Sequence, residues 1–263
     1  MTTEIKFGIL SLAITFGVVM ALNSERVITK THHTETFSKI KTFTFPSNRR
    51  QTKGKIFLPD AYKTNKNLPV IYLIDFAEQH FKLATDEFEM VINSVNKIQG
   101  FDALVVSLEN IPDFNAEPET FQEHYEIFEN MAAYVENRFT KNTSKTLIGR
   151  GSESGIVLMA LFAKNQNSTG FNHFIVTDPS PKYTAAIISL IKKNDIPKKA
   201  LNKKLHFSFS TTNDREQCSK LINLIEEANY NWLEFESIEY TESDYENTYP
   251  ISYATGIKYV FNK

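Results

Sequence analysis

The stretch of this sequence with the most chemical promise is Gly149-Arg150-Gly151-Ser152-Glu153-Ser154-Gly155. It follows the apolar run Lys145 to Gly149 (KTLIG) and precedes IVLMALFAK, so it reads as a tight turn between a strand and a helix. A hydrolase carries its G-x-S-x-G nucleophile elbow in such a turn, with glycines around the serine because larger side chains would clash with strand and helix. Acyl transfer from that serine needs an imidazole to take its proton and a carboxylate to orient the imidazole. In an α/β-hydrolase arrangement the three follow the chain order Ser, Asp or Glu, His.

The six histidines are His32, His33, His80, His124, His173 and His206, and only the last two follow the turn. His173 falls on or just before a buried strand and His206 within a strand pattern, where imidazoles are more often packed than catalytic. Asp214, in Ser210 to Arg215 (STTNDR), is the available carboxylate, and it suits equally well the capping of a helix starting at Glu216. His32-His33 would point to opposite faces of a strand and reads as a polar surface pair. Glu78, His80 and Glu87 could form a carboxylate–imidazole metal cluster, but the spacing fits a solvated loop better. Gly149-Arg150-Gly151 lacks the third glycine and the lysine of phosphate-binding loops. No cofactor or metal is expected.

The elements that must position these residues follow from hydrophobic periodicity. Ile40 to Phe45 and Lys55 to Leu58 alternate as a β-hairpin joined by a turn at Pro46 to Gly54. Leu68 to Asp75, Ala103 to Leu108, Lys145 to Gly149 and Phe171 to Thr177 are continuous apolar runs, the pattern of strands buried on both faces. Leu205 to Ser210 and Leu233 to Tyr240 alternate, as strands nearer a sheet edge do. Helical spacing marks Glu87 to Lys97, Glu119 to Arg138, Ile156 to Lys164, Tyr183 to Lys193, Glu216 to Ala228 and Ser252 to Phe261. Strand–helix alternation over this length predicts an α/β domain with a mostly parallel sheet.

Composition removes several function classes. Against 31 acidic residues stand 29 Lys and Arg, a net charge of −2 without the basic excess of a nucleic-acid binder. The single cysteine, Cys218, excludes an intramolecular disulfide framework. Lys192 to Lys204 is a basic, proline-broken connection, and Glu234 to Glu246 carries six carboxylates on what reads as a solvated edge. Phe7 to Leu22 is uncharged, preceded by Lys6, and ends in small residues Val19 and Ala21 before Asn23. It reads as a cleaved signal peptide or a retained membrane anchor. Residues 1–24 are therefore expected to export the chain, to the periplasm or to a membrane-anchored state. Residues 25–263 are expected to form one domain, with membrane contact only through the N-terminal segment.

From about residue 35 onward the chain resembles the esterase D / enterochelin-esterase-like family of α/β-hydrolases. The resemblance rests on KIFLPDAY followed by LPVIYLID, FENMAAYVENRFTKN leading into KTLIG, FNHFIVTDPSPKY, and YPISYATGIKYVF near the end. It implies an α/β-hydrolase fold, with a mostly parallel sheet flanked by helices, and the machinery of a carboxylic ester hydrolase. The departures alter that expectation. Without a gap, the family's G-H-S-hydrophobic-G-G falls on Gly149 to Ser154, placing Gly151 at the nucleophile position. Glu153 and Ser154 then stand at the two following glycines. Sliding by one residue makes Ser152 the nucleophile but puts Arg150 and Ser154 at the elbow glycines, and sets the Glu153 carboxylate beside a developing oxyanion.

The family's histidine-bearing loop aligns with Glu242 to Asn247, where Tyr245 takes the histidine position. A phenol with an ordinary pKa near ~10 is no base at neutral pH. Phe76 replaces the glycine after Asp75, and Glu109 to Phe114 lacks the family's arginine. The reading is a pseudo-hydrolase, its triad positions degenerate at Gly151, Asp214 and Tyr245. It would act by binding or scaffolding, with an unknown protein partner or a small ester-like ligand. The alternative is an atypical carboxylesterase using Ser152 with His173 or His206.

Overall fold

A computed structural model describes residues 39–47, 50–75, 86–109, 117–163, 170–193, 195–196 and 202–262. The chain divides at Thr42 into two units, and the sheet and its helices belong to the unit Thr42–Lys263, β1 alone starting at Ile40. The expected export segment lies outside the described residues, among which no helix is long and apolar enough to cross a membrane.

Eight strands form one sheet: β1 (Ile40–Ser47), β2 (Arg50–Phe57), β3 (Val70–Leu73), β4 (Leu104–Leu108), β5 (Lys145–Arg150), β6 (His173–Thr177), β7 (Lys203–Ser210) and β8 (Leu233–Tyr240). Their order is β1-β2-β4-β3-β5-β6-β7-β8. β2 runs antiparallel to β4, and every pairing from β4 through β8 is parallel. Between the strands lie α1 (Glu87–Asn96), α2 (Phe121–Arg138), α3 (Gly151–Phe162), α4 (Pro181–Lys192), α5 (Arg215–Ala228) and α6 (Tyr245–Phe261).

The continuous apolar runs are the central strands, as their pattern predicts. All of β3 and β4 is buried, and so are Lys145 to Gly149 of β5 and Phe174 to Thr177 of β6. A strand covered by helices on both faces has no solvent side to place polar residues on, so its alternation disappears. The chain leaves β3 toward β4 but leaves β5 in the opposite direction, toward β6. Right-handed crossovers then put α1 and α3 on opposite faces of the sheet. α1 packs with α6, while α2, α3, α4 and α5 pack side by side in the other layer. The crevice between the carboxyl ends of β3 and β5 is the switch point where ligands of open α/β sheets bind, and the glycine-containing turn sits at its rim.

Four elements depart from the sequence reading, and the first is α3, which begins at Gly151 and not at Ile156, so that most of the glycine-containing stretch is its first turn. Arg50 to Gly54, expected in the hairpin turn, are strand. Their polar character suits an edge hairpin, and at Gly54 a side chain would collide with the ring of Phe43, its Cβ falling 2.5 Å from Cζ. Leu205 to Ser210 lies inside the sheet and is buried throughout, its serines donating to Val176 O and to Asp178 Oδ1. The last helix begins at Tyr245, not Ser252, because Asp244 caps it by accepting from Asn247 N at 2.9 Å. Pro250 within the second turn disguises the helical pattern in the sequence.

Candidate functional site

The turn after β5 is as tight as a nucleophile elbow requires. At Gly149 a Cβ would lie 3.0 Å from the backbone carbon of Glu153 and 3.1 Å from Ser154 N, so α3 doubles back closely onto the strand and a side chain there would press on its backbone. Gly151 has φ 57°, in the left-handed region that costs other residues about 1–2 kcal/mol. It occupies the strained tip of the turn, the place from which an elbow projects its nucleophile. A Cβ built there would fall 2.6 Å from the hydroxyl of Tyr245 and 3.8 Å from Glu153 Oε2. The space a serine side chain would need is thus taken by a phenol delivered from the first turn of α6. The carbonyl of Gly151 accepts from Ser154 Oγ at 2.9 Å and from Ser180 N at 3.1 Å, which ties the elbow to the turn after β6.

Arg150 fixes the other side of this junction. Its guanidinium pairs through Nε with Oε1 of Glu87, which is 6% exposed at the start of α1. Tyr253 donates to Oε2 of the same carboxylate at 3.2 Å. The guanidinium also lies over the rings of Tyr245 and Tyr249, 5.0 and 4.6 Å from their centroids. Three tyrosines of α6, one arginine of β5 and one glutamate of α1 therefore lock three elements together. No local pattern in the sequence announces the Arg150–Glu87 pair as a feature of the site.

Beyond the elbow opens a cavity of about 350 Å³ at the carboxyl ends of β5, β6 and β7, lined in part by Gly151, Ser152, Glu153, Asp178, Asp214 and Tyr245. Asp178 is 3% exposed and left-handed at φ 47°, a conformation aspartate tolerates better than most residues. Its Oδ1 accepts from Ser210 N at 2.6 Å, Ser210 Oγ at 2.9 Å and Asn213 Nδ2 at 3.2 Å. Among the described residues its buried Oδ2 has no hydrogen-bond partner. Burial raises the Asp178 pKa, an effect opposed by these donors and by the Arg150 charge. Asp214 lines the same cavity while capping α5, its Oδ1 accepting from Gln217 N at 3.0 Å.

No protein-family model and no curated protein matches the chain by sequence. Solved structures do match by shape. An IroE-like serine hydrolase from Shewanella oneidensis superposes with a TM-score of 0.65 at 16% identity, over 84% of this chain and 80% of that one. The siderophore hydrolase EstA from Aspergillus nidulans gives 0.63 at 13% identity, over 84% and 94%. An uncharacterised protein from Capnocytophaga ochracea gives 0.63 at 14% identity over 84% of this chain, which spans only 63% of that longer one. With the strand order, these likenesses decide the architecture. The chain has the α/β-hydrolase fold.

Within that fold neither downstream histidine reaches the elbow. His173 opens β6, at the amino end of the sheet, with Nδ1 3.4 Å from Thr146 Oγ1 and its ring edge-on to Phe261. His206 is fully buried in β7 and bonds through Nδ1 to Glu236 Oε2 at 2.8 Å. His124, on α2, bonds through Nδ1 to the carbonyl of Thr120. Ser152 reaches the cavity wall, so the hydrolase fold brings together Gly151, Ser152, Asp214 and Tyr245 but leaves His173 and His206 elsewhere. The residue that sequence reasoning passes over is Asp178. Its only signal is an acidic residue directly after a buried strand and before a proline. Phe76, Asn110 to Phe114, His32, His33, Glu78 and His80 lie outside the described residues. Among the described ones, no group of three or more His, Cys, Asp or Glu could hold a metal ion.

His173 carries a pH dependence with a definite sign. Burial, with help from Lys204 and Lys203, lowers its pKa from 6.5 to about 4. A depressed folded pKa gives a contribution present above 6.5 and lost as pH falls toward 4, because the unfolded chain takes up the proton first. The urea midpoint of the protein is therefore expected to fall across that window. It should fall less in His173→Asn, and equal slopes in the two proteins would refute the assignment.

Proposed function

We propose that this chain is a non-catalytic member of the esterase-like α/β-hydrolases, which works by binding or scaffolding in the cell envelope. The observation that carries this reading is the mutual exclusion at the elbow, where the Tyr245 hydroxyl fills the space a nucleophile's side chain would occupy over Gly151. Serine and histidine are replaced together by glycine and tyrosine, and the two replacements fit one another sterically. An ester carbonyl placed there meets no nucleophile on Gly151 and no base on Tyr245. The fold neighbours described as serine and siderophore hydrolases support a small ester-like molecule as the ligand, held without turnover. Export rests on the uncharged run Phe7 to Leu22 and its flanking Lys6.

The alternative, a carboxylesterase using Ser152, draws on the position of Ser152 in the cavity wall. Among the described residues no histidine serves it as a base, since His206 is committed to Glu236 and His173 stands at the opposite end of its strand. The two readings separate cleanly in one experiment. Folded protein treated with a fluorophosphonate probe and assayed on p-nitrophenyl acetate is expected to show neither a covalent adduct nor turnover above buffer. Labelling or turnover that disappears in Ser152→Ala would establish the alternative instead.

A further inference from the structure

The cavity beside the elbow has a chemical bias that the loss of catalysis does not explain. Three carboxylates, those of Glu153, Asp178 and Asp214, line it, and among the described residues no lysine, arginine or histidine does. The Arg150 charge reaches Asp178, but that guanidinium is paired with Glu87, stacked against Tyr245 and Tyr249, and absent from the cavity wall. The decisive feature is Asp178 itself. One of its oxygens takes three donors, while the other, also buried, takes none among the described residues. An unmade hydrogen bond on a buried carboxylate costs more than one on a neutral group, and a charged donor would recover the most. The left-handed backbone at Asp178, held by its N–H donating to Ser208 O at 2.9 Å, keeps that carboxylate at the cavity wall. Pro179, Pro181 and the Tyr245 ring add apolar and aromatic surface, which suits the carbon skeleton of a ligand and the face of a cation.

We propose that this cavity binds a small organic cation, its ammonium group held by the carboxylates of Asp178, Glu153 and Asp214. The inference rests on the binding reading above and sharpens it, because an amine-bearing molecule fits this cavity and an anionic one is repelled by it. Ser152, Ser180 and Thr212 stand in the same wall and can accept from, or donate to, polar groups on such a ligand.

The test is titration calorimetry on the full chain with three probes of one shape: n-butylammonium, n-butanol and butyrate. n-Butylammonium is expected to bind, and to bind more weakly as salt is raised, while n-butanol and butyrate give no heat of binding. Asp178→Asn and Glu153→Gln are each expected to weaken n-butylammonium about tenfold. Circular dichroism checks folding, and Glu153→Gln, on the first turn of α3, keeps the test valid if Asp178→Asn does not fold. Binding of butyrate or n-butanol as tight as that of n-butylammonium overturns the proposal, and so does the absence of binding by all three. Unchanged affinity in a folded carboxylate variant overturns it as well. None of these outcomes touches the non-catalytic reading, which fails only if the fluorophosphonate labels the protein.

Discussion

Replacing Gly151 by serine is expected to destabilise the protein by about 2–3 kcal/mol, and to yield no esterase. Two costs add. A side chain at φ 57° pays the left-handed backbone penalty of about 1–2 kcal/mol. Its Cβ, 2.6 Å from the Tyr245 hydroxyl, must also shift the tip of that phenol away from where Arg150 and α6 hold it, which costs about 1 kcal/mol. Only the second cost disappears when the ring is removed. In a cycle of Gly151→Ser, Tyr245→Ala and the double variant, urea unfolding should show the serine costing about 1 kcal/mol less when Tyr245→Ala is already present. Strict additivity of the two single changes would mean that glycine and tyrosine are not sterically matched and that Tyr245 does not exclude a side chain at position 151.

The second large effect concerns the ion pair behind the elbow. Arg150→Met is expected to cost about 3–5 kcal/mol, since it leaves Glu87, 6% exposed, without its counter-charge. Methionine also takes the guanidinium from over the Tyr245 and Tyr249 rings, but the uncompensated buried carboxylate is the larger cost. Adding Glu87→Gln should recover a large part of it, because a neutral amide oxygen can still accept from Tyr253. Denaturant midpoints of the two single variants and the double measure this. A double variant as unstable as Arg150→Met alone would place the cost in lost stacking on the tyrosine rings instead. Because the pair joins β5, α1 and α6, its loss should also loosen the placement of Tyr245 over Gly151. Faster hydrogen exchange in the first turn of α6 would report that.

Much of the fold was legible because burial on both faces leaves a simple trace. LPVIYLID, ALVVSL, KTLIG and FNHFIVT each became a central strand, since a strand covered on both faces is dominated by apolar side chains. The amphipathic runs became the flanking helices. Errors gathered where side chains satisfy the backbone locally. The cap at Asp244 and the proline at position 250 hid the first two turns of α6, and the polar start of β2, next to the edge strand, passed for a turn at Arg50 to Gly54.

At the site, residue types alone established that neither Gly151 nor Tyr245 can do what serine and histidine do, because a hydrogen atom and a phenol lack that chemistry. They could not establish that the two residues touch, since 93 intervening positions separate them and only the return of α6 across the sheet brings the phenol to the glycine. The same holds for Asp178. Its carboxylate is written in the sequence, but its unfilled oxygen and its place among two other acids depend on the left-handed turn after β6 and on the donors from β7. Composition and periodicity act along the chain and so determined the layers. Steric contact and the gathering of charge act through space, so the tertiary structure alone brought the phenol onto the elbow glycine and three acids to the cavity beside it.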